Sequence, residues 1–271
     1  MRFRLYAWLF VFFLLTQGIG VMVASALLGE NVTVTIVNSN KNDPINAIAL
    51  ILYILVFTGV FLFFMKFFKR GFFSLFEALA VFATTSLVVE VVLPGLGVMF
   101  GVLLVALRFA VRENVWIKNI ASTFAVAGAG ALIGISLGII PVLVFISLLA
   151  VYDLIAVFKT KHMVKMAKAI VSQNLAFTFT IPAKEHDFQL GTGDLVIPLV
   201  FGTAVFSSAS RLSTYASIVP TALILFASFL GLVGTLHICA EKKIALPALP
   251  LQTLYMVASW LFCFLIGMPV L

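Results

Sequence analysis

Apolar residues run through this chain in blocks about as long as a bilayer is thick, separated by short polar gaps. Nine blocks can be marked, at residues 5–28, 45–65, 71–93, 95–111, 115–137, 139–158, 190–210, 216–238 and 248–269. A helix needs roughly 20 predominantly apolar residues to cross a hydrocarbon core, so each block is expected to be one transmembrane helix. The division of 115–158 rests only on Gly138 and Pro141, but that stretch is about twice what one pass requires. The first block follows Arg2 and Arg4 and ends near Ala24-Ser25-Ala26, like a signal peptide. Its apolar run exceeds the roughly 7–15 residues of a signal core, and a retained helix is expected.

Two connections are long. Residues 29–44 contain Asn31-Val32-Thr33, formally a glycosylation sequon. Residues 159–189 contain Phe177-Thr178-Phe179-Thr180-Ile181, which alternates with the period of a strand. The expected organisation is a single polytopic membrane domain over 1–271: spans one to six in 1–158, a loop in 159–189, and spans seven to nine in 190–271. No internal repeat and no soluble domain is visible.

Composition carries the block pattern over to the whole chain. Of its 271 residues, 63% are hydrophobic and 10% charged, against about 45–50% and about 25% in an ordinary globular protein. A net charge of +7 would point to nucleic acid in a soluble protein. Here the basic residues fall in the gaps between blocks and carry topology instead, so no nucleic-acid partner is expected. With the N-terminus cytoplasmic, the inner groups are Arg2/Arg4, Lys66/Lys69/Arg70, Arg108/Arg112/Lys118, Lys159/Lys161/Lys165/Lys168/Lys184 and Lys242/Lys243. Only Lys41 and Arg211 fall outside. Merging or splitting any block spoils this alternation. The expectation is an all-α membrane protein with nine transmembrane helices, N-terminus cytoplasmic and C-terminus outside, in the cell membrane.

Against this background, carboxylates inside the blocks stand out, because an acidic residue in a span costs several kcal/mol and marks a functional site by default. Asp153 lies six residues before Lys159, roughly 9 Å inside the inner face at helical rise. Asp194 lies seven residues after Asp187 on the next, antiparallel span, roughly 10 Å inside the same face and about two turns into its block. Two carboxylates at similar depth can meet, and when they do they cannot both ionise in a low dielectric. One then draws a proton from water while the other polarises a peptide carbonyl, and the two titrate as a pair. The alternative is that each pairs separately with a backbone group or a cation such as Lys159 or Lys161 reaching back from the interface.

Other polar positions carry less. Glu77 sits at comparable depth and is read as an interfacial residue paired with a basic neighbour; Glu90 is read the same way at the outer end. His237 and Glu241, at i and i+4, are expected to face one another, too few for a metal site. Cys239 and Cys263 make neither a disulfide framework nor a metal site. No metal and no organic cofactor is expected.

Three motifs together resemble the presenilin/signal peptide peptidase family of GxGD intramembrane aspartyl proteases, archaeal presenilin homologues in particular. They are Tyr152-Asp153 in block six, Gly191-Thr192-Gly193-Asp194 opening block seven, and Pro247-Ala248-Leu249-Pro250 opening block nine. The resemblance implies that Asp153 and Asp194 are the catalytic pair. It implies a substrate site shaped by Tyr152, Gly191, Thr192, Gly193, Pro247, Ala248 and Leu249. It also implies cleavage of single-span transmembrane proteins within the lipid bilayer, in the orientation of presenilin rather than of signal peptide peptidase. Thr192 stands where that family usually has Leu, a position linked to substrate choice. The sequence names neither the substrates nor any accessory subunit, and the loop 159–189 lacks an obvious hydrophobic plug for self-cleavage.

Each motif has its own physical reason. Gly191 and Gly193 either admit a substrate backbone beside Asp194 or serve close helix packing. Pro247 and Pro250 bias the entry to the last block toward extended backbone, or simply open a helix. A helical substrate must unwind before its peptide bond can be attacked, and Phe177–Ile181, with the backbone near Leu246, is expected to pair with the unwound piece by strand addition. Rival readings are a proton- or ion-coupled transporter, which binds near the midplane and carries inverted repeats, a prepilin-peptidase-like protease, and a scaffold that only binds transmembrane helices.

Overall fold

The computed structural model describes residues 2–67, 70–160, 174–181, 188–210, 214–242 and 246–270. Lys69, Lys161, Lys165, Lys168, Lys184, Asp187, Arg211 and Lys243, which entered the topology and depth arguments, lie outside the described residues. Nine helices are present among those described: α1 (Arg2–Gly29), α2 (Pro44–Phe67), α3 (Arg70–Val92), α4 (Gly97–Ala110), α5 (Val115–Ser136), α6 (Ile139–Ile155), α7 (Gly193–Ala209), α8 (Thr214–Lys242) and α9 (Leu249–Leu265). Each corresponds to one apolar block. Six helices are long and apolar enough to cross a bilayer by length and composition; α4, α7 and α9, at 14, 17 and 17 residues, are shorter.

The break between α5 and α6 falls at Leu137 and Gly138, both extended (ψ 143° and 172°). The outer loop takes up the backbone groups that this break releases. Gly138 N–H donates to Lys41 O at 2.8 Å, and Lys41 Nζ donates to Ile135 O at 2.9 Å. A Cβ at Gly138 would meet Asn42 Oδ1 at 1.9 Å. Pro141 sits in the first turn of α6, where its missing N–H has no partner to lose.

Two short strands, β1 (Thr178–Ile181) and β2 (Phe188–Gly191), form an antiparallel hairpin between α6 and α7. Here the structure corrects the block boundary of 190–210. Residues 190 and 191 finish a strand, Thr192 turns, and the helix begins at Gly193. Asp194 therefore lies in the first turn of α7 rather than about two turns inside a helix, and residues 188–191 advance at a strand's rise of about 3.3 Å rather than a helix's 1.5 Å. A short apolar strand running into an apolar helix leaves no polar punctuation between them, and this hides the boundary in the sequence.

α7 is the centre of the protein. It is apolar all round and buried on nearly every side from Leu195 to Phe206, as a core helix should be. α5 approaches it through small residues. A Cβ at Gly134 would lie 1.9 Å from Thr203 Oγ1 and 2.5 Å from Val200 O, and one at Gly130 would lie 2.6 Å from Leu199 Cδ2. This is the small-xxx-small packing of membrane helices. α1, α6, α8 and α9 complete the ring around α7, α3 and α4 pack outside α5, and α2 leans on α6 with most of its apolar side chains exposed.

Candidate active site

The hairpin is held from outside by buried polar groups. Glu77 of α3 and Arg108 of α4 form an ion pair at 2.9 Å, each 1% exposed, with Arg112 at 3.5 Å from the other Glu77 oxygen. Glu77 also accepts from Ala176 N–H at 2.9 Å, and Arg108 donates to the carbonyls of Asn174 and Arg112. The expected pairing of Glu77 with a basic residue is present, but its main partner is Arg108 of α4, 31 positions on, and the pair is buried rather than interfacial. The pair ties the chain at 174–176, where β1 is about to start.

β1 is then fastened along α5. Asn119 Nδ2 donates to Thr180 O at 2.8 Å, and Thr180 N–H donates to Asn119 Oδ1 at 2.9 Å. Ser122 Oγ lies 3.1 Å from Ala176 O, and Lys118 Nζ lies 3.0 Å from Thr180 Oγ1. β1 thus has β2 on one edge and α5 side chains on the other. Because the outward groups of Thr180 face α5, its partner Gln189 belongs to a non-hydrogen-bonded pair, and the alternation of an antiparallel ladder turns the N–H and C=O of Gln189 and Gly191 to the far edge of β2. Among the described residues nothing bonds to that edge. The ladder continues into the turn, where Thr192 N–H donates to Phe177 O at 3.2 Å and Thr192 Oγ1 reaches the same oxygen at 3.1 Å. The threonine at this position thus adds a bond that a leucine lacks.

The two aspartates stand on facing helix ends. Asp153, 3% exposed, lies near the C-terminal end of α6, which loosens into a π-helical turn over Ala156–Thr160. The backbone N–H of Leu249 faces its carboxylate, which lies within electrostatic range of Asp194. Among the described residues neither aspartate forms an ion pair with Lys or Arg. Lys159 pairs with neither aspartate, and Lys161, the other cation of the alternative reading, lies outside the described residues.

Both carboxylates open into one largely apolar cavity of about 550 Å³. Gly191, Thr192 and Gly193 line it on one side, and Leu246, Pro247 and Ala248 on another. Leu246 and Pro247 are non-helical, as the prolines predict, while Ala248 has helical dihedrals at the N-cap of α9. Two predicted site residues stand behind the wall rather than in it. The Tyr152 side chain hydrogen-bonds Thr58 and packs into the main core, and Leu249 is buried there, reaching the site through its N–H. A Cβ at Gly193 would have no heavy atom within 4 Å, and one at Gly191 would meet only Asp194 Oδ2 at 3.7 Å. Neither glycine serves helix packing, in contrast to Gly130 and Gly134.

Sequence reasoning passed over Gln252, Gln17 and Asn119. Gln252 of α9 donates to the Asp194 carbonyl at 3.1 Å, and Gln17 of α1 to the Leu195 carbonyl at 3.0 Å. An amide side chain inside an apolar block is the signal that marks all three, since such a group is costly unless bonded. His237 and Glu241 do face one another, at 3.2 Å on the exposed side of α8. No group of three metal-ligating side chains occurs among the described residues.

A family model described as signal-peptide peptidase, presenilin aspartyl protease matches residues 10–268. Two solved structures of a presenilin family intramembrane aspartate protease are similar in fold. One, in a C222 crystal, superposes with a TM-score of 0.70 at 23% identity, covering 95% of this chain and 97% of that one. The other, in a P2 crystal, gives 0.68 at 21% identity over 95% and 96%. No curated protein sequence matches.

Proposed function

Because the chain belongs to the signal-peptide peptidase, presenilin aspartyl protease family, its activity is that of an intramembrane aspartyl protease, and we propose that Asp153 and Asp194 form its catalytic pair. The observation that carries this assignment is their convergence, from α6 and α7, on one apolar cavity. The pair holds one proton between its two carboxyl groups. The ionised carboxylate takes a proton from water, whose oxygen attacks the scissile carbonyl carbon. The neutral carboxyl hydrogen-bonds the carbonyl oxygen as it gains charge. Collapse of the tetrahedral intermediate breaks the C–N bond, and a proton returns to the leaving nitrogen.

The substrate is a single-span transmembrane helix that unwinds at the site. Its released backbone groups need partners in a largely apolar cavity, and the outward N–H and C=O of Gln189 and Gly191 on β2 offer them by strand addition. The edge of β1 that the alternating sequence first suggested is taken by α5. Pro247 and Ala248 bound the substrate opposite the glycines, and the Leu249 N–H faces Asp153. In this reading all nine helices span the cell membrane, N-terminus cytoplasmic and C-terminus outside, and water enters from the cytoplasmic face. The distribution of basic residues supports that topology.

The test is cleavage of a single-span substrate by purified protein in detergent, with products identified by mass spectrometry. Cuts within the substrate's apolar stretch, abolished by Asp153→Ala and by Asp194→Ala, are expected. Undiminished cleavage by either variant would sink the assignment.

A further inference from the structure

One turn of α9 reaches both aspartates. The N–H of Leu249 meets the Asp153 carboxylate, and three residues on, Gln252 Nε2 donates to the backbone carbonyl of Asp194 at 3.1 Å. The second bond has a cause in the sequence of α7. In an α-helix the carbonyl of residue 194 accepts from the N–H of residue 198. Residue 198 is Pro198, inside the helix, and proline has no N–H to give. The carbonyl of Asp194 is therefore left without a helical partner, and Gln252 supplies the donor from the neighbouring helix.

Gln252 is fully buried, at 0% exposure, and its Oε1 has no hydrogen-bond partner. A carboxamide is costly to bury and the cost is recovered only through the bonds it makes; the bond its Nε2 makes is to Asp194. The turn that carries it is pressed close to α8. A Cβ at Gly231 would lie 2.8 Å from Gln252 Cα and 3.1 Å from its N, so the two backbones are in direct contact. From the α1 side Gln17, 4% exposed and also with an unpartnered Oε1, holds the next carbonyl, that of Leu195.

We propose that Gln252 is a positioning residue for Asp194: it supplies the donor that Pro198 withholds and so fixes the peptide carrying that aspartate against α9. This rests on the assignment of Asp153 and Asp194 as the catalytic pair. The consequence is for turnover rather than for substrate affinity, because small displacements of a reacting group cost rate steeply.

The proposal is tested by steady-state cleavage of a single-span substrate with a double-mutant cycle. Gln252→Leu, or Gln252→Met should the leucine variant not fold, is expected to lower kcat about tenfold or more with KM within about twofold. Pro198→Ala restores an N–H at residue 198, so in that background the same Gln252 substitution is expected to cost less than about twofold. A loss equally large with proline or alanine at 198 would mean that Gln252 serves packing only, and would overturn the proposal. So would an unchanged kcat in the Gln252 variants. Asp153→Ala and Asp194→Ala run alongside: cleavage surviving either one would overturn the dyad itself, an outcome distinct from a Gln252 variant that cuts normally while both aspartate variants are dead.

Discussion

Asn119 holds Thr180 by two opposed hydrogen bonds, at 2.8 Å to its carbonyl and 2.9 Å from its N–H. A side-chain amide on α5 thus occupies the place of a third strand beside β1. The hairpin that leads into Gly191 and Asp194 is pinned on that side, and the far edge of β2 is the one left open among the described residues.

Replacing Asn119 by Leu removes both bonds at once. A buried N–H and a buried C=O lose their partners, at about 1–3 kcal/mol each. We expect a lower unfolding temperature, faster hydrogen exchange at the Thr180 amide and reduced cleavage. Asn119→Asp keeps the acceptor for Thr180 N–H and should fall between parent and Leu. Parental exchange at Thr180 in the Leu variant would show that the clamp does not hold the strand.

If substrate adds to β2, the Gln189 N–H is one of its donors. Gln189→Pro deletes that donor at an edge position that tolerates proline, leaving the ladder to β1 intact. Gln189→Ala keeps the N–H and serves as the control for the lost side-chain bonds to Thr178 and Thr180. The expected outcome is a proline variant that folds like the alanine variant and cleaves at least several-fold more slowly. Equal rates for the two would remove β2 as the docking edge.

Much of this arrangement is legible in the sequence because lipid imposes strong, local costs. Nine apolar blocks give nine helices among the described residues, and two of the four acids inside blocks, Asp153 and Asp194, line one cavity. What escapes is what depends on partners far along the chain. The β2 boundary is hidden because Leu190 and the start of α7 are equally apolar. Asn119 and Ser122 read as polar members of a helix until β1 is laid beside them. Gln252 reads as an isolated amide until Pro198, more than fifty positions earlier, is seen to leave a carbonyl open. The threonine in the GxGD stretch reads as a departure from its family, and only the hairpin shows its hydroxyl at Phe177 O.

Glu77 tests whether a buried acid outside the dyad is structural. It bonds Arg108 and the Ala176 N–H, and both it and Arg108 are buried. Glu77→Ala leaves a buried guanidinium without its main carboxylate, a loss of about 3–5 kcal/mol. We expect a marked fall in unfolding temperature and in folded yield, with activity lost in proportion to folded protein. A well-folded Glu77→Ala protein with abolished turnover would instead make Glu77 part of the chemistry.

Glycines give the sharpest separation of packing from catalysis, because the same substitution has opposite readouts at two positions. At Gly134 a Cβ would sit 1.9 Å from Thr203 Oγ1 and 2.5 Å from the Val200 carbonyl. Gly134→Ala must push α5 off α7, and overpacking of that kind costs about 1–3 kcal/mol or more. At Gly193 a Cβ would meet nothing within 4 Å, and the residue opens α7, where the advantage of alanine over glycine is at most the roughly 1 kcal/mol of a helix interior. Gly193→Ala should therefore leave the unfolding temperature unchanged or raised. Gly193 lines the cavity that Asp194 also lines, and a methyl group added to that wall should crowd a substrate backbone, so cleavage should fall although stability does not. A Gly193→Ala enzyme as fast as the parent would mean that the substrate passes elsewhere, and the glycine would then be explained by neither packing nor approach.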